Sequence, residues 1–83
     1  MILENTIKRA SQLLKNCNIS SHELDAQIIL SDIMGVKREF LITNNRINIS
    51  EKVIEKYGEG ILNKDKTVNR LILGGIVFSD PSK

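Results

Sequence analysis

The stretch that most constrains the fold is SSHELDAQIILSDIMG, residues 20–35. Set at 100° intervals, Leu24 and Ile28 fall on one flank and Ala26, Ile29, Leu30 and Ile33 on another, so a helix here is apolar around most of its circumference. Such a helix needs neighbours on several sides, and the simplest chain that supplies them is a small bundle of helices around a central one. The boundaries are marked. Ser20 with Glu23 three residues on has the form of a capping box, Ile19 and Leu24 stand at the staple positions, and Gly35 suits a left-handed C-terminal cap.

The neighbours can be read from the same periodicity. Leu3, Ile7, Ala10, Leu14 and Cys17 alternate at four and three residues, predicting a helix over 3–16 with Glu4, Lys8, Ser11 and Lys15 facing away. A short third helix is expected over 37–42, with Phe40 and Leu41 turned inward. After NNRINIS, Ser50 is a candidate cap for a fourth helix carrying Val53, Ile54, Tyr57, Ile61 and Leu62, in which Gly58 and Gly60 cost roughly 1 kcal/mol each relative to Ala and invite a bend or fraying. Beyond the polar LNKDKT the period is lost. Leu71 to Phe78 around Gly74-Gly75 reads as a two-residue β-hairpin or an irregular packed tail. The expected fold is therefore all-α, four to five short helices with such a tail.

Eighty-three residues suffice for one domain with a thin stability margin, and 41% hydrophobic with 27% charged residues fits an ordinary globule. Twelve Lys and Arg stand against ten Asp and Glu without any long block of one sign, which is not a nucleic-acid stripe, and the second helix is acidic, unlike a DNA-reading helix. No run approaches the roughly 18 apolar residues of a membrane span, and the first ten residues carry Glu4, Lys8 and Arg9 in place of a signal sequence. With Cys17 the single cysteine, an internal disulfide is excluded and a cytoplasmic protein is the expectation.

Few residues suggest chemistry. One His and one Cys make a protein-supplied zinc site a poor fit, so His22 reads as an exposed or capping residue and Cys17 as a small core residue. Asp25 and Asp32 share a polar strip roughly 10 Å apart, too far for an acid-base dyad, and Asp25 is expected to reach solvent or to pair with Arg38 and so fix the third helix on the second, with direct contact to a partner protein as the alternative. Lys8, Arg9, Lys15, Lys37, Arg38 and Arg46 are solubilising charges that could also face an acidic partner or RNA. Tyr57 belongs to a core stripe.

Leu24-Asp25-Ala26, then Ile28-Ile29-Leu30, Met34-Gly35 and Arg38, follow in the order typical of the N-terminal helical domain of the protein-(glutamine-N5) methyltransferases that modify peptide chain release factors, the HemK/PrmC family, which the chain resembles. Ile7, Ala10 and Leu14 extend the likeness into the first helix, and Gly74 with Phe78 fits the Gly-x-x-x-Phe step before that family's catalytic domain. There are departures: Thr67 stands where proline is expected, and Gly75-Ile76-Val77 replaces a basic and acidic pair. The resemblance implies a helical substrate-recognition domain over 1–66 and the start of an interdomain linker over 67–83, with the catalytic domain absent. It implies a release factor as partner, and S-adenosylmethionine as cofactor of that missing domain.

No catalytic, cofactor or metal residue can be carried over. The family's Asn-Pro-Pro-Tyr needs two prolines where this chain has only Pro81, and Gly74-Gly75 is followed by no helix that could offer amides to a cofactor. By itself the chain should be inactive. Two alternatives from other classes are a free-standing module that binds a partner protein and a dimerisation domain that uses the apolar tail.

Overall fold

The computed structural model describes residues 1–64 and 68–79. Four helices and a hairpin follow one another: α1 (Leu3–Asn16), α2 (His22–Met34), α3 (Arg38–Thr43), α4 (Glu51–Lys64), β1 (Arg70–Leu73) and β2 (Ile76–Ser79). The central place predicted for α2 holds, since it packs on α1, α3 and α4. Ala26, Ile29 and Leu30 enter the core, where they join Leu3, Ala10 and Leu14 of α1, Leu41 of α3 and Ile54, Tyr57 and Ile61 of α4. Its other apolar flank is only partly covered: Leu24 is 42% exposed, while Ile28 is half-buried.

Both long N-terminal helices end by the same device. Asn18 and Gly35 adopt left-handed backbone (φ 64° and 67°), which lets Ile19 N–H reach Leu14 O and Val36 N–H reach Ser31 O, closing carbonyls the helix itself cannot satisfy. The starts differ from expectation. The N-cap of α2 is Ser21 rather than Ser20, and its hydroxyl donates to Asp25 Oδ2 (3.0 Å) rather than to a backbone amide, so the capping box does not form and Leu24 staples nothing. For α4 the predicted cap is present, with Val53 N–H donating to Ser50 Oγ at 3.3 Å.

The start of α1 has no side-chain cap. Its orphan amides are met by the connection after α3: Leu3 N–H donates to Ile47 O and Glu4 N–H to Asn45 O, both at 2.9 Å, while Ile49 N–H donates to Met1 O at 2.8 Å. Segment 44–49 is thereby wrapped against the first helical turn. The short α3 turns Leu41 inward as predicted, but Phe40 is 36% exposed.

The glycines of α4 have a packing reason instead of a bend. A Cβ on Gly58 would stand 2.5 to 2.6 Å from three ring atoms of Phe78, and one on Gly60 would stand 3.0 Å from Ile29 Cγ2. The helix runs unbroken to Lys64 because these two positions let the hairpin and α2 approach its backbone closely. The tail is the hairpin, with Leu71 opposite Phe78, Ile72 opposite Val77 and Leu73 opposite Ile76. Gly74 and Gly75 both have positive φ (60° and 80°), as a type I′ turn requires. Alternation then sorts the side chains: Leu71, Leu73 and Phe78 cover α4 and α1, whereas Ile72 and Val77 face outward. The departure at Thr67 and the single proline, Pro81, lie outside the described residues.

Candidate functional site

A groove of about 600 Å³ lies between α1 on one side and α2 with α3 on the other. It forms because side chains four apart on a helix share a face: Glu4, Lys8, Gln12 and Lys15 line the α1 rim, and Glu23 and Gln27 line the α2 rim. Ile7, Leu41 and Ile42 make one end apolar. At the other end Ser11 Oγ and His22 Nδ1 are hydrogen-bonded at 2.7 Å. The face of α1 expected to look into water is thus a groove wall, and Ser11 on it is buried because His22 reaches over it.

A Ser and His in contact invite comparison with a nucleophile and base, which also need a group to orient the imidazole and amides aimed at an oxyanion. Among the described residues no carboxylate bonds to His22, no group of three or more His, Cys, Asp or Glu could hold a metal, and the helical amides around Ser11 are spent within α1. The pair pins α1 to α2. His22 is accordingly neither free nor a cap, while Cys17 is half-buried beside the core.

Glu4 is held by Lys8 at 3.0 Å and by Arg46 at 4.0 Å, and the Lys8 hydrogen bond and charge keep its carboxyl below the usual range. Arg38 does tie α3 to α2, but through Gln27 Oε1 (3.2 and 2.9 Å) and not through Asp25. Gln27 lies 200° around the helix from Asp25, so one guanidinium cannot serve both. Asp32 sits on the far side of α2, beside Lys56 and Lys64 in a shallower groove against α4.

The residues that carried the resemblance are therefore mostly architectural. Ala26 and Leu30 are core; Ala26 O also accepts the hydroxyl of buried Tyr57 at 2.6 Å, and that burial raises the phenol pKa well above its ordinary value. Gly35 and Gly74 shape turns, and Phe78 seats the hairpin on Gly58. Leu24 is open to solvent, Asp25 is bonded to Ser21, and only Arg38 reaches the groove, through Gln27. The groove residues that periodicity missed are Gln12, Gln27, Ile42 and Asn45, of which the apolar but outward Ile42 was the available signal.

The fold is thus a small helical bundle with an open, mixed-polarity groove and a seated hairpin. The chain belongs to the PrmC N-terminal domain family, whose sequence model matches residues 5–63. It is 35% identical over 79 residues to a release factor glutamine methyltransferase of Clostridium botulinum, covering 94% of this chain and 28% of that protein. It is also 37% identical over 60 residues to a dephospho-CoA kinase of Lactobacillus johnsonii (72% of this chain, 26% of that one) and 33% identical over 58 residues to one of Buchnera aphidicola (70% and 26%). The chain thus spans little more than a quarter of the length of these relatives. No solved structure matches it significantly. Among the described residues no helix is long and apolar enough to cross a membrane.

Proposed function

We propose that this chain is the part of a release factor glutamine methyltransferase that holds the release factor, while methyl transfer from S-adenosylmethionine takes place on a separate catalytic domain. The carrying observation is the family match over 5–63 joined to 35% identity with a release factor glutamine methyltransferase across nearly the whole chain. The geometry is consistent with it: a groove with polar rims and an apolar end suits a protein segment, and among the described residues no assembled acid-base site competes for the role. The dephospho-CoA kinase likeness suggests a different chemistry, but P-loop phosphoryl transfer needs Gly-x-x-x-x-Gly-Lys, and no Gly-Lys step occurs here. A cytoplasmic location accompanies this reading, because release factors act at the ribosome.

Calorimetric titration of the chain with a bacterial peptide chain release factor tests the proposal. Saturable binding in the micromolar range is expected, and a dissociation constant weaker than about 1 mM, an affinity of only about 4 kcal/mol, would refute it. One observation favours a second reading as a self-association module: Ile72 and Val77, 45% and 53% exposed, are cross-strand neighbours on the open face of the hairpin. Sedimentation velocity distinguishes the two, since a dimer lost on Val77→Lys supports that reading.

A further inference from the structure

We propose that the α1/α2/α3 groove takes an acidic segment of the release factor, a carboxylate settling on Lys15 of the α1 rim and its aliphatic side chains on Ile7 and Ile42. This deepens the release-factor reading and rests on it. The groove is graded along its length, and that grading fixes which end takes which chemistry. At one end Ile42, 61% exposed, and half-buried Ile7 both line the groove, apolar surface that a partner's aliphatic side chain would cover. The other end is polar, where Lys15 stands without an ion pair among the described residues.

Charge selects the sign of the occupant. Lys8, Lys15, Arg46 and Arg38 line the groove or bond to residues that line it, against only Glu4 and Glu23. Glu4 is already shared between Lys8 and Arg46, so the carboxylate left to face an occupant is Glu23, on the opposite rim from the lysines. Arg38 occupies the carbonyl of Gln27 with two N–H groups, which leaves the Gln27 amide donors unspent on the wall. An acidic segment is drawn to α1 and pushed from Glu23, which sets its orientation as well as its affinity. From Glu4 to Lys15 the rim is about 16 Å long, roughly three turns of helix. Nucleic acid fits less well, because the lining has no Phe, Tyr or Trp on which a base could stack and its one imidazole, His22, is hydrogen-bonded to Ser11.

The test is calorimetric titration of a bacterial release factor into the wild-type chain and into Lys15→Glu, Ile42→Asp and, on the exposed face of α4, Lys52→Glu. All three sites are exposed, and circular dichroism checks that each variant is folded. The expected result is binding weakened about fivefold by Lys15→Glu and about tenfold by Ile42→Asp, with Lys52→Glu within about twofold of wild type. Unchanged binding in Lys15→Glu and Ile42→Asp, or tighter binding in Lys15→Glu, overturns the groove assignment while leaving the release-factor reading in place. No binding to the wild-type chain removes that reading and this one with it. A wild-type dimer that Ile42→Asp abolishes, without effect on factor binding, assigns the groove to a second copy and overturns the proposal.

Discussion

Replacing Gly58 by alanine sets two physical effects against each other with opposite signs. In a helix interior Ala is favoured over Gly by about 1 kcal/mol, so propensity alone predicts a stabilised protein. The added Cβ, however, would stand 2.5 Å from two ring atoms of Phe78 and 2.6 Å from a third. Carbon atoms pack at about 3.5 to 4.0 Å, so the ring must retreat by roughly 1 Å or more. A Phe ring is flat and stiff, and Phe78 is buried beneath the hairpin, so it moves only by lifting β2 from α4. Overpacking of this kind costs about 1 to 3 kcal/mol, and complete ejection of the ring forfeits a similar sum in buried apolar surface. The net expectation for Gly58→Ala is a loss of about 1 kcal/mol, or about 4 to 8 °C in melting temperature for a domain of this size. Thermal and urea unfolding followed by circular dichroism measure it. In a Phe78→Ala background the obstacle is gone, and the same Gly58→Ala change should stabilise by up to about 1 kcal/mol. If Gly58→Ala stabilises the protein with Phe78 in place, the close approach of hairpin and helix is refuted.

Three further outcomes follow from single contacts. Tyr57→Phe removes the buried hydroxyl bond to Ala26 O and should cost about 1 kcal/mol in urea unfolding, with the core otherwise intact. Because burial raises the phenol pKa in the folded state, the folded chain holds its proton where the unfolded chain releases it; stability is full below the unfolded tyrosine pKa of about 10 and declines as pH rises above it. As Tyr57 is the only tyrosine and there is no tryptophan, phenolate absorbance should appear together with unfolding in an alkaline titration, and a smooth titration of the folded chain near pH 10 would contradict this. Ser50→Ala should destabilise by about 1 kcal/mol through loss of the α4 cap, whereas Ser20→Ala, which removes no cap, should change unfolding by less than about 0.5 kcal/mol.

The elements were legible because their signals are local. Helical periodicity gives α1, α2 and α4, and two glycines between β-formers give the hairpin, each a property of a few adjacent residues. What escaped depends on residues far apart in the chain. Gly58 looked like a defect until Phe78, twenty positions on, came to rest against it. Ser20 matched the capping pattern, but the helix begins one residue later, and the hydroxyl of Ser21 turned to Asp25. The groove was the least visible feature, because a row of polar residues on α1 reads as a solvated face until α2 and α3 are placed across from it. Of the Leu24-Asp25-Ala26 step that marks the family, only Ala26 enters the core, while Leu24 stays open to solvent and Asp25 bonds to Ser21.

The wrapping of segment 44–49 around the first turn of α1 has a consequence for how the domain opens. The amides of Leu3 and Glu4 would ordinarily exchange with solvent within the fraying of a helix end, yet both are bonded to carbonyls more than forty residues away. Releasing them requires the α3 to α4 connection to come away at the same time, so residues 1–4 and 45–49 form one cooperative opening unit. In native-state hydrogen exchange the start of the chain should therefore share the protection of its middle.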